Sequence, residues 1–143
     1  MWRPSDISEI EGVLSNEGDW IILIKSATNV LKGDNFVFVY PELLQNKTIV
    51  KNGEVITSEI LEKKDFDYIK LNSKIKTLLR KTRDKIKLRG SIVNEITTRG
   101  DFIKKIRDTL KINQNNKYLL EVISLKDSKT ADPIIVELNI TKL

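Results

Sequence analysis

Residues 73–90 read SKIKTLLRKTRDKIKLRG, and the reading of this stretch decides the fold. Ile75, Leu78, Leu79 and Ile86 recur at helical spacing, Thr82 fills the gap, and Lys and Arg cover the remaining arc. Gly90 suits the residue just past the last turn. The stretch therefore predicts a basic amphipathic helix beginning near Ser73.

Working outward, the flanks carry the period of strands. Downstream, Tyr118 to Leu125 is expected as one strand and Lys126 to Asp132 as a loop. Ile134, Val136, Leu138 and Ile140 then mark the inward face of a second strand, which completes a C-terminal hairpin. Upstream, Asn52-Gly53 between Thr48–Lys51 and Glu54–Thr57 predicts a hairpin with a type I′ turn. Trp20–Ile24 and Phe36–Tyr40 are short, uninterrupted apolar runs. They read as central strands buried on both faces, with Phe36, Phe38 and Tyr40 in a core. Residues 58–71 are ambiguous between a short helix capped by Ser58 and a strand edge at Phe66 to Tyr68. Asp6 with Glu9, followed by Ile7, Ile10, Val13 and Leu14 on one face, predicts an N-terminal helix that stops at Asn16 to Gly18.

The expected class is α+β. A small mixed or antiparallel sheet carries N-terminal strands, a mid-chain basic helical segment and a C-terminal β-hairpin. The 143 residues suit a single α+β domain, with a possible subdivision near residue 70. Beyond the basic helix, Ser91 is placed to cap a short helix through Ile92, Val93 and Ile96. Thr98 with Asp101 resembles a capping box before a helix bearing Phe102, Ile103, Ile106 and Leu110 inward. That order over residues 72–141 resembles winged-helix DNA-binding domains. The resemblance implies a recognition helix carrying Lys104, Lys105 and Arg107 after the turn Thr97-Thr98-Arg99-Gly100.

Charge is unevenly placed. Residues 1–69 hold 7 Lys/Arg against 12 Asp/Glu, residues 70–111 hold 14 against 4, and residues 112–143 hold 4 of each. The middle block attracts phosphates or an acidic protein surface, unless the chain's own acidic half neutralises it. Its candidate nucleic-acid-binding residues are Lys74, Lys76, Arg80, Lys81, Arg83, Lys85, Lys87, Arg89, Arg99, Lys104, Lys105 and Arg107. Residues 70–101 contain no aromatic side chain, and Lys outnumbers Arg. Both features favour contact with the backbone of a double-stranded or structured nucleic acid over base readout.

Composition excludes several chemistries. With no histidine and no cysteine, catalytic triads, thiol nucleophiles, disulfides and the common zinc sites are impossible. The six glycines are scattered, so no phosphate-binding loop is present. Asp65-x-Asp67 and Glu62-x-Lys64 have nuclease-like spacing but read more simply as solvated charges, so no catalytic residue, metal or cofactor is expected. No apolar run approaches the 20 or so residues that span a bilayer, nor does the N-terminus have the form of a signal peptide. The expectation is a cytoplasmic, non-enzymatic nucleic-acid-binding protein without a membrane partner. The alternative is an interaction subunit or inhibitor in a larger assembly. Abundant Lys and Ile with frequent Asn suit a microbial or viral source.

Overall fold

The structure, a computed structural model, describes residues 8, 11–12, 18–27, 32–33, 35–101, 104–108 and 116–143. The chain has a mixed α+β fold and divides into two units, Met1–Lys47 and Thr48–Leu143. Most of the expected N-terminal helix lies outside the described residues; Ser8, Glu11 and Gly12 are helical.

In the first unit, β1 (Trp20–Ser26) pairs antiparallel with β2 (Val39–Gln45), with Trp20 opposite Gln45 and Ser26 opposite Val39. This two-stranded ribbon corrects the expectation of central strands buried on both faces. Ile22, Ile24 and Tyr40 are exposed. Phe36 and Phe38 precede β2, where they are 78% and 65% exposed instead of packed in a core. Pro41 lies inside β2 opposite Ile24. Both strands are edges here, so a residue without an N–H is tolerated. Unbroken apolarity suits a strand covered on both faces, but the described residues of this unit supply no second layer.

The second unit is built on a four-stranded sheet in the order β4-β6-β8-β5. The strands are β4 (Val55–Leu61), β5 (Ile96–Thr98), β6 (Tyr118–Ser124) and β8 (Ile134–Lys142). β6 pairs antiparallel with β4 and β8, whereas β5 pairs parallel with β8. Alternation decides the faces: Tyr118, Leu120, Val122 and Ser124 are buried, as are Ile134, Val136 and Leu138. Against that face lies α1 (Tyr68–Leu88), which buries Leu71, Ile75, Leu78, Thr82 and Ile86. Thr82 is polar yet fully buried, and both capacities of its hydroxyl are used. Its Oγ1 bonds the Leu78 carbonyl (2.8 Å) and the Thr57 hydroxyl on β4 (2.5 Å).

The helix ends as the sequence requires. Gly90 takes φ 108°, its N–H bonds Lys87 O, and the Ser91 N–H reaches Ile86 O. This is the Schellman closure that a glycine past the last turn permits. The start is earlier than expected, so of the segment Phe66 to Tyr68, read as a possible strand edge, Tyr68 opens the helix and Asp67 is its N-cap. A 3-10 turn at Lys63–Asp65 joins β4 to α1.

Two local expectations are corrected. Asn52-Gly53 does form a turn, but only Gly53 has positive φ, so it is not type I′. Its amides are taken by distant partners: Asn52 N–H by Asp127 Oδ1 (2.7 Å) and Gly53 N–H by Ser124 O (2.8 Å). The flanking strands therefore part. β3 (Thr48–Val50) pairs with β7 (Ser128–Lys129), and β4 with β6. Residues 91–95, expected as a short helix, are not helical, and 96–98 form β5. A parallel strand thus stands where the winged-helix order needs a helix and turn. Thr98 lies in β5, and Asp101 caps helical residues 104–108 by accepting the Lys104 N–H (3.2 Å).

Candidate nucleic-acid interface

Helical geometry sorts the cations of α1 before any ligand is considered. At about 100° per residue, Lys76, Arg80, Arg83 and Lys87 fall within an arc of about 60°, roughly opposite the buried stripe. All four are exposed, and none forms an ion pair among the described residues. They form one row about 16 Å long.

Lys74, Lys81, Lys85 and Arg89 lie nearer the sheet, and the fold uses them. Lys74 Nζ bonds Asp65 Oδ2 (2.9 Å) and Ile60 O (3.0 Å). Lys81 stands 3.6 Å from Glu59, and Lys85 donates to Ile56 O at 2.7 Å. Arg89 Nη1 contacts both Glu54 carboxylate oxygens (3.0 and 2.9 Å) and Ile49 O (3.1 Å). Asp65, Glu59 and Glu54 thus pair with Lys74, Lys81 and Arg89 on the sheet side of the helix, whereas the outer row has no such partner among the described residues.

The other predicted cations are placed elsewhere. Arg99 and Lys105 border a hollow of about 250 Å³ together with Asp101 and Glu137, so carboxylates share their surroundings. Lys104 and Arg107 are exposed on helical residues 104–108. Arg107 reaches α1, where its Cζ lies 4.9 Å from the Tyr68 ring centroid, within cation–π range. Tyr68 also borders an open groove of about 440 Å³ with Ile69, Asn72, Ser73, Lys76, Thr77 and Arg80. Reading Phe66 to Tyr68 as a possible strand edge hid this aromatic. Continuing the helical phase back from Leu71 places it on α1.

Asp65, half of the nuclease-like pair, has a structural role. Burial raises its pKa, but the Glu62 N–H and the Lys74 ammonium outweigh that and leave it below the ordinary 3.8. A depressed carboxylate stabilises the fold above its unfolded pKa, and the contribution is lost as pH falls through the folded value. Asp65→Asn is therefore expected to cost about 1–2 kcal/mol at pH 7. It should also flatten the decline in stability below about pH 4, as followed by urea denaturation across pH. Among the described residues no three acidic side chains gather where a metal could sit.

Fold and surface together define a class: an α+β module with one long helix across a four-stranded sheet and a cationic row along that helix. No protein-family model matches the chain, and no curated protein or solved structure does either. Among the described residues no helix is long and apolar enough to cross a membrane.

Proposed function

We propose that this is a cytoplasmic, non-enzymatic nucleic-acid-binding protein that grips the phosphate backbone of a double-stranded or structured nucleic acid through α1. The observation that carries this is the row Lys76, Arg80, Arg83 and Lys87, which faces outward without a carboxylate partner among the described residues. Phosphates of one duplex strand recur about every 3.4 Å of axis, so a 16 Å row meets several of them. Paired flanking lysines hold the helix on the sheet and keep the row's orientation constant. Backbone contact of this kind is tolerant of sequence.

The test is salt dependence. Four neutralised phosphates give a slope of log affinity against log salt of about −3.6 on duplex DNA. Fluorescence anisotropy between 50 and 200 mM salt, about the range over which such contacts weaken strongly, measures it. A flat response overturns the reading. It would favour an interaction subunit instead, with Ile22, Ile24, Phe36, Phe38 and Tyr40 as the contact surface.

A further inference from the structure

We infer that the groove at the start of α1 binds an unpaired nucleotide, so that the preferred ligand is a duplex with a short single-stranded extension. The inference rests on the backbone reading above and adds a second contact of different chemistry.

Tyr68 occupies the first turn of α1 and is 56% exposed. The Arg107 guanidinium lies over its ring, 4.9 Å from the centroid, while more than half of the residue stays exposed to solvent. Base stacking on an aromatic platform needs no particular sequence, because every base has a π-face, and a neighbouring guanidinium adds to it. The groove that Tyr68 borders contains no carboxylate. Its polar lining is Asn72, Ser73, Thr77, Lys76 and Arg80, which are hydrogen-bond donors or cations suited to phosphate and sugar oxygens.

Position along the helix sets the ligand. Lys76 lies eight residues beyond Tyr68, about 12 Å along the axis. Lys76 and Arg80, the first two members of the row, line the groove together with Tyr68, and Arg83 and Lys87 continue the row further along the helix. At about 3.4 Å per nucleotide, roughly four nucleotides connect the aromatic to the first lysine of the row. A base paired within a duplex is already stacked on its neighbours and hidden from Tyr68, whereas an unpaired one is free to stack. The two contacts together call for paired phosphates on the row and a free base in the groove.

The experiment compares a blunt duplex with the same duplex carrying an extension of about four nucleotides, titrated by fluorescence anisotropy. Wild type, Tyr68→Leu and Tyr68→Phe are measured side by side. Wild type is expected to bind the extended duplex at least about five-fold more tightly, the lower end of one stacked base. Tyr68→Leu, which keeps apolar bulk without the π-face, loses that preference with blunt-duplex affinity unchanged. Tyr68→Phe keeps it. Melting curves show whether the Leu variant is folded, and its exposed site makes that the expected result. Equal affinity for the two duplexes, or a preference that survives in Tyr68→Leu, overturns the inference while leaving backbone binding intact. Binding to neither overturns the backbone reading as well.

Discussion

Changing Arg80 and Arg83 together to Gln is expected to lower affinity for a nucleic-acid duplex about 30-fold at 0.15 M salt. Each neutralised phosphate contributes a salt exponent of about 0.9, so losing one contact costs roughly five-fold at that concentration. Two contacts multiply. The same substitution should reduce the salt slope by about 1.8, which separates lost phosphate contacts from general loss of fold. Lys64→Gln with Lys117→Gln is the matched control. Those lysines lie 3.6 and 3.7 Å from Glu62 and remove the same two charges from a different part of the surface. The control is expected to lose less than about three-fold, because charge away from the contact is screened beyond about 8–10 Å. Both double variants should melt close to wild type, since exposed substitutions of this kind cost within about 0.5 kcal/mol. Equal losses in the two pairs would mean that net charge, and not the row on α1, drives binding.

The largest stability effect is expected at Leu120. This residue is fully buried in β6, between β4 and β8 and beneath α1. Leu120→Ala removes packing from the middle of the only large core among the described residues. It should cost about 3 kcal/mol, within the usual 2–5 for such truncations. For a chain of this length the expected drop in melting temperature is about 10 °C. Leu119, the adjacent residue on the same strand, points to the opposite face and is half-buried. Leu119→Ala should cost about 1 kcal/mol or less, because part of its side chain already meets water. A reversed order for the pair would mean that β6 is turned over relative to α1. Comparative thermal melts of the two variants decide it.

Some of this architecture was legible in the sequence because local rules sufficed. The period of 73–90 identified the helix, Gly90 its end, and the alternation around Leu120 and Val136 the C-terminal hairpin with its inward face. Those signals survive because each concerns groups a few residues apart, where backbone geometry sets which side chains share a face. The charge counts likewise marked the middle block as cationic.

What the sequence by itself determined was therefore the α+β class, the basic helix and the closing hairpin. The tertiary structure alone decided where Asn52 and Gly53 send their amides, which strand lies beside β8, and which cations remain outward. Asp127 and Ser124 drew the turn away from a local hairpin, and residues 96–98 found a parallel partner instead of forming a helix. Glu54, Glu59 and Asp65 claimed Arg89, Lys81 and Lys74, although 9 to 35 positions separate the partners. The physical reason is common to all three. A backbone amide or an ionised side chain is satisfied by whichever partner folding brings within reach, and sequence distance carries no record of that choice.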